Sequence, residues 1–147
     1  MIQAQLHLTQ PSGGSRQFSV TTGSGHQLLL DDAVGGTGPK PIELVAVAHA
    51  GCTAFDVINI LRKKRQRVTG YDVRIEAEQR EQPPNVFTVV RIHHVVTGHD
   101  VDPQALADAI HLSESKYCSV GAMLEKSAEI RTTFEIVPAG VLAEVAQ

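Results

Sequence analysis

Positive charge is not in surplus in this sequence: 13 Lys and Arg stand against 16 Asp and Glu among 147 residues, a formal net charge of -3. Phosphate backbones are bound by a net basic face, which argues against a general nucleic-acid binder. Aromatic residues make up only 4% of the chain, and tryptophan is missing. None accompanies the one basic cluster, residues 62–67 (RKKRQR), so that cluster lacks stacking platforms and reads as a solvated helix end. The N-terminus has no charged leader running into a continuous apolar stretch, and no Arg-rich presequence, which makes the cytoplasm the expected location. Internal repeats and low-complexity segments are also lacking.

Cysteine is equally scarce. Cys52 and Cys118 lie far apart in a chain without an export signal, so a permanent disulfide is not the first expectation in a reducing compartment. Two possibilities stay open here, reactive thiols or small buried core residues. No compact set of metal-ligating residues stands out. His49 and Cys52 make one pair, whereas a structural zinc site takes four ligands, and His93 and His94 point to opposite faces of a strand. No metal is expected.

What is present is one domain's worth of patterned structure. The chain is 42% hydrophobic and 20% charged, ordinary for a globular protein, and its length suits a single domain, taken as residues 1–138. Residues 139–147 form a C-terminal tail, either poorly ordered or a short apolar helix. Ile2, Ala4, Leu6 and Leu8 alternate with polar neighbours as in a half-buried strand. Residues 17–21 and 26–30, joined by a Gly-containing turn, predict two more strands.

Pro41 suits the first turn of a helix, and residues 42–61 are apolar on nearly every face, which predicts a long helix buried all round. Its length matches a bilayer, but Glu43, His49, Thr53, Asp56 and Asn59 interrupt it. Burial between protein layers or between two subunits accounts for it better than a membrane. Gly70 reads as the helix stop. Alternation from Tyr71 to Ala77, a turn at Pro83-Pro84-Asn85 and a β-branched run over 86–97 predict a hairpin. Asp102-Pro103 starts a short helix to about Leu112, Ser113 caps another to about Ala128, and Ile130, Thr132, Phe134 and Ile136 alternate as a last strand. The order βββ-α-ββ-αα-β indicates an α+β fold with antiparallel sheets.

Cys52 sits in the most apolar helix, where a small thiol is ordinarily core. Its company is polar, however. His49 three residues before it and Asp56 four after it share one helical face, and polar groups gathered round a thiol often mark a site. The thiolate is the form that attacks a peroxide oxygen, and a mid-helix position gives it no help from the helix dipole, so another positive group has to hold the anion. Attack on the O–O bond leaves a sulfenic acid that a second thiol can trap as a disulfide, and Cys118 is the one candidate. Near the start of its own helix, Cys118 would have free amide hydrogens to favour its own thiolate; alternatively it packs with Tyr117, Val120 and Leu124.

The run Pro41-Ile42-Glu43-Leu44, continuing through Val45-Ala46-Val47-Ala48-His49-Ala50-Gly51-Cys52-Thr53, resembles the P-x-E-L…A-G-C-T stretch that opens the central helix of the OsmC/Ohr family. Lys116-Tyr117-Cys118-Ser119-Val120 is similar to that family's second landmark, a cysteine in a later helix. The resemblance spans nearly the whole chain up to about Val137. It implies an OsmC-like fold in an intertwined homodimer, its central helices packed between curved sheets. The implied activity is that of a thiol-dependent peroxidase reducing organic hydroperoxides, and to a lesser degree hydrogen peroxide, without a bound metal or flavin. Cys52 would be the nucleophile and Cys118 the resolving thiol. A dithiol such as a lipoylated protein or thioredoxin would reduce the disulfide.

By position the family's supporting arginine and glutamate match Arg16 and Glu43, with His49 and Phe55 as substrate-binding candidates. Two positions depart from the Ohr pattern. Glu43 is nine residues ahead of the cysteine rather than ten, an offset of about 100° on a helix, and Ser119 stands where proline often follows the resolving cysteine. These departures point to an OsmC-like branch distinct from Ohr. Two other functions compete: an OsmC-like dimer that binds a small apolar ligand without peroxidase activity, and a metal-binding or regulatory scaffold using His49 and Cys52.

Overall fold

The computed structural model describes residues 1–140. Among the described residues, six strands form two three-stranded sheets, accompanied by three α-helices and a π turn. The chain divides into two compact units, Met1–Val45 and the part from Ala46 on. The tail expected over 139–147 lies outside the described residues except at 139 and 140, where the chain turns and the Ala139 amide donates to Gly98 O at 2.8 Å.

In the first unit β1 (Ala4–Leu8), β2 (Phe18–Thr22) and β3 (Gln27–Leu30) pair antiparallel in the order β1-β2-β3. Val20 at the centre is its buried apolar side chain. After β3 the loop is built on Asp31, whose carboxylate accepts from the Thr37 hydroxyl at 2.5 Å, the Thr37 amide at 3.1 Å and the Asp32 amide at 2.8 Å. The Thr37 hydroxyl above all, with donors from Ser15, Asp32 and Thr37, outweighs desolvation and lowers its pKa to about 2. This loop delivers the chain to α1 (Pro41–Lys63).

In the second unit β4 (Arg67–Gln79) and β5 (Phe87–His99) form the predicted antiparallel hairpin, followed by α2 (Pro103–Leu112), a π turn (Ser113–Tyr117), α3 (Ser119–Leu124) and β6 (Glu129–Pro138). The Asp102 carboxylate accepts from the Gln104 amide at 2.9 Å, and Pro103 opens α2, as the sequence indicated. β6 pairs with β5 parallel, not antiparallel. The helical segment between them carries the chain back to where β5 began, as a parallel neighbour requires. β5 is therefore central and the most buried strand, holding Phe87, Val90, Ile92, Val95 and Val96 inside.

Three further details differ from the sequence reading. The turn after α1 is made by Arg65 in the left-handed region (φ 57°), with the Gln66 amide donating to Leu61 O at 2.9 Å; Gly70 lies within β4, beside a register shift. Ser113 starts no new helix: it is the C-cap of α2, the Cys118 amide reaches back to Ser113 O at 2.8 Å, closing the π turn, and α3 begins only after it. α1 is buried along one line, His49, Thr53, Val57 and Leu61, four residues apart, while Val47 and Phe55 are 59% and 78% exposed. That line seals the core of the second unit, where Val57 and Leu61 meet Val96, Val101, Leu106 and Ile110. The helix is long and apolar enough by composition to cross a membrane, but here it serves as the core helix of an α+β unit.

His94 is fully buried, stacked on Tyr71 with its Nδ1 2.7 Å from the phenol oxygen, and its Nε2 has no partner. Desolvation, then the neighbouring His93, lowers its pKa from 6.5 to about 4. The unfolded chain thus takes up the proton first as pH falls, so stability present above pH 6.5 is lost towards pH 4, by about 3 kcal/mol. His49, shifted the same way by burial, adds to the loss. Urea unfolding from pH 7.5 to 4 checks this, and His94→Gln is expected to flatten the dependence.

Candidate active site

The one-line burial of α1 determines what Cys52 meets. Cys52 stands one residue before buried Thr53, half-buried at the edge of that line, and faces the start of α3. The π turn sets Cys118 at the N-cap of α3, with its Sγ accepting from the Gly121 amide at 3.2 Å. The two sulfurs and an Asp56 carboxylate oxygen all lie within 4.8 Å of one another. Cys52 Sγ is also 3.9 Å from Ser119 Oγ. Both cysteines are free thiols.

The first turn of a helix has amide hydrogens with no intrahelical partner, and here they are shared between the sulfurs. Burial alone would raise the Cys52 pKa. It is outweighed by donors from the Val120 amide, the Cys118 thiol and the Ser119 hydroxyl and amide, so the net shift is downward. Cys118 moves the other way, up to about 12, through burial first, then through donation to Cys52 and the negative charges of Cys52 and Asp56, against the pull of the Gly121 amide. The expectation that the helix start would favour a Cys118 thiolate is thus reversed: the free amides serve the other sulfur. Among the described residues, the groups that lower the Cys52 pKa are N–H, O–H and S–H donors, and none is a cation. The positive group that its mid-helix position demanded is a set of N–H and O–H dipoles.

Asp56 is held in place by the buried Ser113 hydroxyl, which donates to its carboxylate at 2.9 Å and stands 3.1 Å from the Thr53 hydroxyl. A cavity of about 250 Å³ opens on the other side of Cys118, lined by His49, Thr53, Ile92, Glu114, Cys118, Gly121, Glu125 and Ile130. His49 is 3% exposed and its Nδ1 has no hydrogen-bond partner. Desolvation lowers its pKa against a smaller opposing pull from Glu114, which favours the neutral imidazole. Cys52, Asp56 and Cys118 are the residues that could hold a soft metal ion, three ligands where a structural zinc site takes four.

Of the residues singled out from the sequence, the structure brings Cys52 and Cys118 together. His49 lines the cavity beside Cys118, and Phe55 points outward from α1. Arg16 and Glu43 are engaged within the first unit. Arg16 Nε is 3.0 Å from Asp32 with its side chain largely exposed, and Glu43 accepts from the Lys40 amide at 2.7 Å, capping α1. The sequence places Asp56 on the Cys52 face without giving it a role, and it assigns no part in the site to Ser113, Thr53, Ser119 or Val120. A signal for Ser119 was available, since serine in place of proline keeps an amide hydrogen.

With this geometry in view, comparison with known proteins is decisive. The family described as OsmC-like protein matches residues 34–133. The chain belongs to that family. Protein YhfA of Escherichia coli K12 is 45% identical over 122 residues, 83% of this chain and 91% of YhfA. A hypothetical protein from Aquifex aeolicus VF5 superposes with a TM-score of 0.82 at 29% identity, over 94% of this chain and 97% of that one. An organic hydroperoxide resistance protein OsmC from Legionella pneumophila shares the OsmC-like fold, with a TM-score of 0.66 at 15% identity, over 92% and 96% of the two chains.

Ser119 is the position that separates this OsmC-like site from a proline-bearing one. It is the first residue of α3, where proline is tolerated, and Cys118 before it is already extended (φ -73°, ψ 99°). Ser119→Pro is expected to fold normally while removing both the amide and the hydroxyl donor, raising the Cys52 pKa by about one unit. The pH dependence of iodoacetamide labelling, followed by peptide mapping, reads this directly. In the unaltered chain the Cys52 midpoint should fall below the ordinary thiol value of 9.0 and that of Cys118 near 12.

Proposed function

We propose that this chain is a cysteine-based peroxidase that reduces organic hydroperoxides, in which Cys52 attacks and Cys118 resolves. The observation that carries the reading is the pair of sulfurs within 4.8 Å with their acidities driven in opposite directions. A nucleophile has to be ionised before the substrate arrives, and a resolving thiol is best kept protonated until a sulfenic acid has formed. The Cys52 thiolate attacks the outer peroxide oxygen, the O–O bond breaks, and the alcohol leaves with a proton, giving Cys52–SOH. Cys118 then attacks that sulfur and water departs, leaving a disulfide that a dithiol such as a lipoylated protein or thioredoxin returns to two thiols. The Legionella relative named for organic hydroperoxide resistance supports the substrate class. Arg16 and Glu43 would orient the peroxide in the assembled enzyme, and the cytoplasm is the compartment that fits a cycle needing a thiol reductant.

Assembly belongs to the same proposal. Val47 and Phe55 are apolar, exposed and eight residues apart on one side of α1, a stripe suited to the same helix of a second copy. Phe55 would contact substrate in a dry site once that copy covers it. Phe55→Asp is expected to shift the protein from dimer to monomer in sedimentation velocity runs.

The competing reading, a dimer that holds an apolar ligand beside inert thiols, fits less well because Glu114, Glu125 and His49 line the cavity. For the peroxidase, Cys52→Ser should lower turnover of cumene hydroperoxide by more than about 100-fold and abolish sulfenic-acid labelling. Cys118→Ser should accumulate a labelled Cys52 sulfenate. Unaltered protein showing no turnover across a panel of hydroperoxides and dithiols would end the assignment.

A further inference from the structure

The cavity beside the sulfur pair touches only one of the two sulfurs. Cys118 lines it and Cys52 does not. Gly121 keeps it open at that point: a Cβ there would come within 3.1 Å of His49 Nε2 and 3.2 Å of Cys118 Sγ. The same wall carries the buried His49 imidazole, with an unpartnered Nδ1, and the rim carries the carboxylates of Glu114 and Glu125. Glu114 is steadied by a hydrogen bond from the Thr132 hydroxyl. Among the described residues, no lysine or arginine lines the cavity.

We propose that this cavity admits the reducing thiol, neutral or cationic near its sulfur, and that it attacks Cys118 Sγ, not Cys52 Sγ, of the oxidised enzyme. The inference rests on the disulfide of the proposed cycle and adds which end of it is opened, from where and by what kind of thiol. The incoming thiol gives its proton to the His49 imidazole and forms a bond to Cys118 Sγ. The Cys52–Cys118 bond breaks with its electron pair on Cys52 Sγ. A second thiol then displaces Cys118, which takes up the second proton, and the proton on His49 passes to water. The dithiol is oxidised and the enzyme disulfide reduced by two electrons. Leaving-group chemistry favours this direction, because disulfide exchange is faster when the departing sulfur is the better-stabilised thiolate, and the α3 amides stabilise Cys52. Two carboxylates at the entrance repel thiols bearing a carboxylate of their own.

The test uses the full chain oxidised with diamide, so that the disulfide forms without any peroxide. It is mixed briefly with excess cysteamine, mercaptoethanol or thioglycolate, quenched with N-ethylmaleimide and mapped by mass spectrometry. The expected product carries the small thiol on Cys118 and maleimide on Cys52, formed fastest with cysteamine and at least tenfold more slowly with thioglycolate. Glu125→Lys, on an exposed cavity-lining residue, should narrow that ratio severalfold. An adduct on Cys52 with maleimide on Cys118, or equal rates for all three thiols, would overturn the proposal. A diamide disulfide that is opened at Cys118 in a protein inert to hydroperoxides would sink the peroxidase reading alone. Failure of diamide to join the two sulfurs would sink both.

Discussion

The site depends on how one helix start is divided between two sulfurs. Ser119 and Val120 direct their amides to Cys52, and Gly121 directs its amide to Cys118. A lone thiol at such a place would take the whole benefit. Here Cys52 on the neighbouring helix takes more of it, while Cys118, the N-cap residue itself, is left buried and protonated. The opposed acidities of the two thiols follow from that division together with burial and the Asp56 carboxylate.

Everything that brings the two sulfurs together serves this arrangement. The single buried line of α1 turns Thr53, and with it the edge bearing Cys52 and Asp56, towards the segment after α2. Ser113 at the π turn meets Asp56 and Thr53, tying the segment to the helix through a hydroxyl that is itself fully buried. The parallel return of β6 supplies Ile130 to the cavity beside Cys118. Burial does two opposed jobs in this small space. It raises the proton affinity of Cys118 and lowers that of His49, so that a protonated thiol and a neutral imidazole line the same cavity.

Much of the fold was legible because it was written in side-chain periodicity. Alternation located β1, β4 and β6, a Gly-containing turn marked β2 and β3, a β-branched run marked β5, and Asp102-Pro103 marked the start of α2. The direction of β6 was not legible, because alternation reads the same in either sense and only the path of the intervening chain decides it. Arg65 took the left-handed position that Gly70 suggested from composition, a case of tertiary packing overriding preference. For the site, the i, i+4 spacing of Cys52 and Asp56 was readable and the approach of Cys118 followed from the family resemblance. The donors that make Cys52 acidic were not, because two of them are backbone amides, which every residue except proline possesses. Serine at position 119 was the sole trace they left.

The π turn has a consequence for how this protein can vary. Its hydrogen bond from the Cys118 amide to Ser113 spans five residues where an α-helix spans four, so one residue more than regular winding allows is accommodated just ahead of the second sulfur. Loss of a single residue from this stretch would restore an ordinary helix and swing the sulfur by about 100° away from its neighbour. Helix ends commonly absorb insertions and deletions at small cost, but between Ser113 and Cys118 the count of residues is itself a geometric requirement.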